Sequence, residues 1–266
     1  MPNTPILITG CQRSGTTLLS LVLDSHPQIQ GIDEVDFDRT KAALYLSSPE
    51  YHSHVAFKLP SHAHRAESFA ALAGARIIWC IRDPRAVIAS MMNLNLQAGG
   101  RVMSWARHPV GAQREIENGL VMLQHHGRAL PAALLQEYGQ IRDMPAALRG
   151  RGEGLLLAAL CWRIKQELLV AYQALSLPLY VLHYEKLATE KETEIRAILD
   201  FLDLAWHDDV LQHHRLHQGT STGLTESNRA IDEKSLAKWK QQLTAVELHR
   251  ISEICADLAR RYGYVE

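Results

Sequence analysis

The first strong pattern along the chain is a short apolar run, Pro5-Ile6-Leu7-Ile8-Thr9, followed at once by glycines and hydroxyls, Gly10-Cys11-Gln12-Arg13-Ser14-Gly15-Thr16-Thr17. The run predicts a strand, and the segment from Thr16 to about Asp24 predicts a helix, ended by Ser25-His26-Pro27. Further strands are expected over residues 54–59, 76–81 and 179–183. Arg76-Ile77-Ile78-Trp79-Cys80-Ile81 is almost continuously apolar, as a strand buried on both faces of a parallel sheet should be. It ends at Arg82-Asp83-Pro84, and a helix to about Asn93 follows with Pro84 in its first turn. Strands alternating with helices predict an α/β fold, a P-loop-type parallel sheet flanked by helices. Functional sites in such sheets gather at the carboxyl ends of the strands.

The pattern changes between Asn95 and Gly154, where glycines recur from Gly99-Gly100 to Gly150 and Gly152. We read residues 95–154 as a largely helical insertion with mobile joints, a lid or acceptor-binding region within a single domain covering residues 1–266. A helix from Leu155 to Leu175 then returns to the sheet. Near the end, Thr244-Ala245-Val246-Glu247 has capping-box spacing. The stripe Leu248, Ile251, Ile254, Cys255, Leu258 and Tyr262, closed by Gly263, predicts a structural amphipathic helix.

The 266 residues suffice for a sizeable core, and 47% hydrophobic with 21% charged residues is ordinary globular composition. A formal net charge of −1 offers no global attraction to nucleic acid or anionic lipid, so an anion site must be a local cluster of cations. The four scattered cysteines form no Cys-x-x-Cys pair, which favours reduced thiols and a cytoplasmic location. Met1-Pro2-Asn3-Thr4 leads straight into the first strand without a signal-peptide pattern. The longest apolar run, Leu155 to Trp162, is too short to span a bilayer.

The loop after the first strand has the frame of a phosphate cradle, glycine, four residues, glycine, then Thr-Thr. Thr16 stands where a nucleotide triphosphatase carries its lysine, and Arg13 lies inside the loop instead. Such a turn aims backbone N–H groups and the positive helix end at an anion. Without the lysine that reaches the outer phosphates, the loop suits an anionic ester better than ATP or GTP.

The company of this loop carries a family resemblance. Arg13-Ser14-Gly15-Thr16-Thr17-Leu18-Leu19, then Leu23-Asp24-Ser25-His26-Pro27, resembles the 5′-phosphosulfate loop of sulfotransferases, which use 3′-phosphoadenosine-5′-phosphosulfate (PAPS) and release PAP. Ile81-Arg82-Asp83-Pro84-Arg85, with Ser90 eight residues after Arg82, resembles their 3′-phosphate motif. Tyr184-Glu185-Lys186-Leu187 is similar to their next landmark, and Ser235-Leu236-Ala237-Lys238-Trp239 to their C-terminal end. The branch most resembled is the tyrosylprotein sulfotransferases and their bacterial relatives, through Asp24-x-His26-Pro27 and Asp200-Phe201-Leu202-x-x-Ala205-Trp206.

The resemblance implies a donor site made of Arg13, Ser14, Gly15, Thr16, Thr17, Arg82, Ser90 and Tyr184, with Ser221 and Arg229 as further contacts. It also implies Lys58 on the bridging oxygen of the leaving group; an ordinary lysine flanking a strand is the alternative. Chemically, loop N–H groups, the Thr16 and Thr17 hydroxyls and Arg13 can stabilise the charge that develops as the phosphosulfate bridge breaks. The acceptor hydroxyl needs a base. Glu34 lies 21 residues after Arg13, the spacing of the catalytic glutamate in the tyrosylprotein branch. A carboxylate partly shielded from water can take the proton of a phenol as attack develops. Asp33 is the rival base, and two solvated loop carboxylates the alternative to both.

Three departures bear on the acceptor. Asp36 stands where the animal tyrosylprotein enzymes have an arginine, Gly31 and Ala56 occupy the positions of their disulfide, and their membrane anchor has no counterpart. Arg101, Arg107, Arg114 and Arg128 could form a basic groove for an acidic peptide, or a solvated helix face. The paired histidines, His52/His54, His62/His64, His125/His126 and His213/His214, lack zinc-site spacing, and no metal is expected. The resulting expectation is sulfuryl transfer from PAPS to a hydroxyl, with a protein or peptide tyrosine leading and a carbohydrate, lipid or small molecule as alternatives. A P-loop small-molecule kinase is the rival class, a nucleotide-sensing module a third. No nucleic acid and no membrane span are expected, and the sequence leaves the choice between monomer and homodimer open.

Overall fold

A chain in which short apolar runs alternate with segments repeating every third or fourth position is expected to alternate strand and helix, and it does. The computed structural model describes residues 3–38, 42–47, 52–98, 101–217, 220–221 and 225–264, with the side chains at 42, 43, 97, 98, 101, 220, 221, 225 and 226 outside that description. In chain order the elements are β1 (Thr4–Gly10), α1 (Thr16–Asp24), β2 (Ile29–Asp33), α2 (Ala42–Ser47), β3 (His54–Lys58), α3 (Ala66–Ala70), β4 (Arg76–Ile81) and α4 (Pro84–Asn93). A hairpin of β5 (Asn95–Ala98) and β6 (Arg101–Ser104) precedes α5 (Arg114–His125), α6 (Ala132–Arg142) and α7 (Arg151–Gln173). The chain continues with β7 (Leu179–His183), α8 (Tyr184–Thr189), α9 (Lys191–Phe201), α10 (His213–Leu216), β8 (Thr220–Ser221), β9 (Thr225–Glu226) and α11 (Ala245–Arg261).

Contacts divide the chain into two units, Met1–Ile81 with Tyr172–Glu233, and Arg82–Ala171 with Lys234–Glu266. The first unit holds a five-stranded parallel sheet in the order β2-β3-β1-β4-β7. The central strand β1 is buried from Pro5 to Gly10, so its near-continuous apolar run is the signature of a strand covered on both faces. Ile6, Ile8, Leu19, Leu23, Ala56, Ile78 and Leu182 share a core with Leu187, Ile195 and Ile198. On β4, Trp79 stands edge-on to Tyr172 with ring centroids 5.6 Å apart.

The Asp24-Ser25-His26-Pro27 segment ties the end of α1 to its surroundings. Asp24 Oδ1 accepts from the Gly31 N–H at 2.5 Å, and a Cβ at Gly31 would come within 2.9 Å of the Asp24 side chain. His26 Nε2 bonds the Ala205 carbonyl at 3.0 Å, and Ser25 Oγ meets His217 Nε2 at 3.1 Å. Gly31 and Ala56 are register partners across β2 and β3, so the two positions named for the absent disulfide do face each other in the sheet. Cys11, Cys80, Cys161 and Cys255 are free thiols, each buried.

Within the second unit, the segment expected to be largely helical also contains a pair of strands. Asn95–Ala98 pairs antiparallel with Arg101–Ser104, and α5 and α6 follow only after a π-helical turn at Pro109–Gln113. The unit carries paired charges, one pair fully buried. Lys165 Nζ bonds Glu115 Oε2 at 2.9 Å with both side chains about 2% exposed. The Arg163 guanidinium spans Asp257, at 2.6 and 2.8 Å, and the Ile254 carbonyl. Arg107 and Arg128, two members of the basic groove considered above, are engaged inside this unit, Arg107 with the Arg149 carbonyl and Arg128 with Glu167. The side chain of Arg101 lies outside the described residues. The α11 capping box forms as its spacing predicts, and Ile251, Ile254, Cys255 and Leu258 are buried along its stripe.

Two of the histidines considered as ligands, His54 and His213, bond to backbone carbonyls. Among the described residues no three His, Cys, Asp or Glu side chains converge as a metal-binding group. His54 Nε2 bonds the Leu202 carbonyl at 3.1 Å, and His213 Nε2 bonds the Arg229 carbonyl at 3.1 Å. Burial drives the His213 pKa down to about 4 from 6.5 and lowers that of His54 as well. The folded protein therefore binds fewer protons than the unfolded chain below pH 6.5, and stability falls as pH drops from about 6.5 through 4. The His213 contribution is on the order of 3 kcal/mol at most across that window. Urea midpoints measured at several pH values should fall across the window, and less steeply in His213→Asn; equal slopes for both proteins would remove His213 as the cause.

Candidate active site

The carboxyl ends of the parallel strands in the first unit gather most of the residues singled out from sequence. At the end of β1 the backbone turns through φ of 117° at Gly10, 69° at Arg13 and 88° at Gly15. Such left-handed residues alternating with ordinary ones fold successive N–H groups toward one concave side, the shape that cradles an anion. Gly10 is forced by packing too, because a Cβ there would run into the Cys80 backbone on β4. A Cβ on Gly15 would run into the ring of Tyr184, the first residue of α8. Gly15 is also the N-cap of α1 and lends no side chain to it, so the helix start is left to an outside acceptor.

The residues present fit a phosphosulfate. Ser14 is fully buried in the turn, and its Oγ has no hydrogen-bond partner among the described atoms. Its backbone N–H reaches the Cys11 carbonyl at 3.2 Å, which closes the turn. Thr16 is buried and Thr17 half-buried at the first turn of α1. A buried hydroxyl without a partner, next to a helix start without a side-chain cap, offers hydrogen-bonding groups of the kind an anionic ester takes.

Lys58 ends β3, the strand beside β1, with Ile8 and Asp33 as its register partners. Its side chain is 2% exposed, and Nζ lies 2.8 Å from Asp33 Oδ2 and 3.8 Å from Glu34 Oε1. The two rival bases thus have different partners, Asp33 holding the lysine and Glu34 standing further from it. Glu34 Oε2 accepts from Ser61 Oγ at 2.8 Å and from the Ser61 N–H at 3.5 Å. Ser61 sits in the 3-10 turn Pro60–Arg65 directly after β3, placed by two bonds to β1: the Leu59 N–H donates to the Ile8 carbonyl at 2.9 Å, and Thr9 Oγ1 donates to the Leu59 carbonyl at 3.1 Å. His183, at the end of β7, has its pKa lowered by burial and then by Lys186.

Arg82 and Ser90 belong to the second unit. Arg82 is 8% exposed; its Nη2 donates to the Ser235 carbonyl at 2.8 Å, and its own carbonyl accepts from Trp162 Nε1 at 3.0 Å. Asp83 caps α4 through the Arg85 N–H at 2.8 Å and clasps the Arg85 guanidinium. Arg82 and Ser235, two separately recognised motif residues, are thereby joined. In this unit a cavity of about 490 Å³ lies between the start of α4 and α11, lined by Arg85, Trp239 and Cys255 among others, and it contains none of the expected site residues. Arg229 pairs with Asp232, with Nε 2.9 Å from Oδ2. Ser221 lies in β8, and its side chain falls outside the described residues.

Ser61 was not signalled by the sequence, where a serine after Leu59-Pro60 is an unremarkable strand exit. The clue available was its place at the first turn after a strand already carrying a candidate lysine.

A central strand turning through a glycine cradle into a helix, inside a β2-β3-β1-β4-β7 parallel sheet, defines a P-loop-type α/β protein. The chain belongs to the sulfotransferase family, whose sulfotransferase domain model matches residues 3–263. It is similar to protein-tyrosine sulfotransferase 1 of Danio rerio, 29% identical over 90 residues, a stretch that is 31% of this chain and only 25% of that protein. Among solved structures it resembles a sulfotransferase of Mycobacterium avium, with a TM-score of 0.53 at 12% identity over 100% of this chain and 78% of that one. A mouse sulfotransferase in complex with PAP matches with a TM-score of 0.52 at 11% identity over 98% of this chain and 85% of that one. Among the described residues no helix is long and apolar enough to cross a membrane.

Gly15→Ala should weaken PAP binding about tenfold or more, because a side chain there must both hold a left-handed backbone and displace the Tyr184 ring. Calorimetric titration with PAP measures it, and wild-type affinity in Gly15→Ala would refute the fit of the cradle.

Proposed function

We propose that the chain transfers the sulfuryl group of PAPS to a hydroxyl acceptor, most favourably the phenol of a tyrosine in a peptide or protein. The observation that carries the reading is the pairing of a loop that lacks a phosphate lysine with a buried lysine and a glutamate on neighbouring strand ends. PAPS supplies the activated S–O bond: sulfur passes to the acceptor oxygen as its bond to the bridging oxygen breaks, leaving PAP.

The residues divide that work by chemical type. Loop N–H groups, Ser14, Thr16, Thr17 and Arg13 bind the 5′ end, while Arg82 and Ser90 bind the 3′-phosphate that distinguishes this donor from ATP. Lys58 supplies positive charge where the leaving oxygen becomes negative, a task suited to a compact ammonium. Glu34 takes the acceptor proton. Asp33 is the less suitable base, because its carboxylate is committed to Lys58 at 2.8 Å. Tyr184 packs on the cradle, and Ser221 and Arg229 remain candidate donor contacts.

The tyrosine acceptor is supported by the likeness to the Danio rerio enzyme, whose name specifies protein tyrosine, and by the Asp24-x-His26-Pro27 segment. Carbohydrate, lipid and small-molecule hydroxyls are the alternatives on the same machinery. Four buried free thiols suit a reducing compartment such as the cytoplasm.

Transfer of label from PAPS across a panel of tyrosyl peptides, phenols and sugars identifies the acceptor, with the tyrosyl peptides expected to lead. Calorimetry should show PAP binding more tightly than ATP–Mg²⁺, and the reverse order would indicate a kinase. Glu34→Ala should keep PAP affinity and lose about 10²-fold or more in turnover, the usual worth of a general base. Full turnover in that variant would overturn the assignment of the base.

A further inference from the structure

A carboxylate acting as a base must present one defined oxygen to the incoming proton, and Glu34 has its two oxygens in different surroundings. Oε1 looks toward Lys58 Nζ at 3.8 Å, whereas Oε2 is bound by the Ser61 hydroxyl at 2.8 Å and the Ser61 N–H at 3.5 Å. The same Ser61 Oγ lies 3.1 Å from His62 Nδ1. His62 is in turn flanked by the rings of Phe37, 6.0 Å away edge-on, and His64, 6.3 Å away and stacked.

We propose that Ser61 and His62 are positioning residues for Glu34, holding Oε2 so that Oε1 is the oxygen that receives the acceptor proton; this rests on Glu34 being the base. A hydroxyl has one proton to give. An ionised carboxylate can only accept, so the Ser61 proton points to Oε2. The bond between Oγ and Nδ1 then requires the hydrogen to sit on His62 Nδ1. His62 thereby fixes the direction of the serine hydroxyl, as the outer member of a three-residue chain. The backbone adds to this, since the Ser61 N–H lies in the first turn after Pro60, where helical N–H groups have no partner of their own. Among the described residues, the charged and titratable groups linked to Glu34 include Lys58 from β3, Asp33 through Lys58 at the end of β2, Asp36 through its N–H bond to the Asp33 carbonyl, and His62 through Ser61, with His64 stacked on it.

When the proton arrives on Oε1, Glu34 becomes neutral, Ser61 continues to donate to Oε2, and the chain keeps its polarity. No rearrangement accompanies the transfer. A serine whose hydroxyl was not held toward Glu34 would leave the protonation of that carboxylate unaffected, and the difference is measurable without knowing the acceptor.

The test is a carboxyl-carbon NMR titration of glutamate-labelled protein, with the Glu34 signal assigned by Glu34→Gln. Removing a donor that favours the charged carboxylate should move the Glu34 midpoint up by about half to one pH unit in Ser61→Ala. Ser61→Thr, which keeps a hydroxyl, should restore the wild-type midpoint. His62→Leu should move it part of the way, and His62→Gln, whose amide can still donate to Oγ, should not. An unchanged midpoint in both Ser61→Ala and His62→Leu would overturn the proposal, and His62→Leu serves alone if Ser61→Ala fails to fold. Turnover separates this inference from the one beneath it. If Glu34→Ala is inactive and the midpoints do not move, only the positioning role fails; if Glu34→Ala is fully active, the base assignment fails whatever the midpoints do.

Discussion

An ammonium with 2% of its side chain exposed has to be met by carboxylates, and much of the site follows from that requirement. Lys58 ends β3 between the central strand and the edge strand β2, so its counter-charge has to come from the residues that end β2. Asp33 meets it at 2.8 Å, and its register opposite Lys58 fixes the pairing of the two strands. A slip of one residue would turn Asp33 to the other face and leave the lysine buried and unpaired, at a cost of several kcal/mol on the order of a broken buried ion pair. The same register presents Glu34 at the first position beyond the strand. Strand pairing and candidate chemistry are therefore set by a single contact.

The cradle at the end of β1 obeys a different constraint, that of space. Gly10 and Gly15 are excluded from carrying side chains by the Cys80 backbone and the Tyr184 ring, and both adopt left-handed φ. Arg13 takes the same conformation without being glycine, with φ of 69°. Non-glycine residues held there cost energy and persist where the surrounding turn over-determines them, which is common where a chain wraps a ligand. The buried Ser14 hydroxyl lies within this turn.

Much of this was legible because the informative segments are extreme. The strands 76–81 and 179–183 and the helices 16–24 and 84–93 have the bounds that their apolar runs and terminal residues indicate. β2 was missed because Ile29-Gln30-Gly31-Ile32-Asp33 holds two apolar residues at a spacing of three, and an edge strand needs no continuous apolar run. The β5–β6 hairpin was read as helical although Gly99-Gly100 between two four-residue runs is a hairpin signal; frequent glycines elsewhere in the segment hid it. In the site, Glu34 and Lys58 could be named from spacing and resemblance. Ser61 could not, since its role depends on a turn that begins only after β3 has been placed against β1.

The missing loop lysine takes on a sharper meaning in this arrangement. In a nucleotide triphosphatase the cation that reaches the transferred group comes from the cradle itself. Here Thr16 stands at that position, and the buried ammonium is Lys58, on the next strand and already bound between carboxylates. On the proposed reading this places cation and base on a common linkage. As Lys58 is drawn toward a leaving oxygen, it moves its charge away from Asp33 and Glu34, and a carboxylate losing a cationic neighbour becomes a stronger proton acceptor. Charge demand at the leaving group and proton demand at the acceptor would then rise together, a coupling that a lysine fixed inside the loop, remote from the base, would not provide.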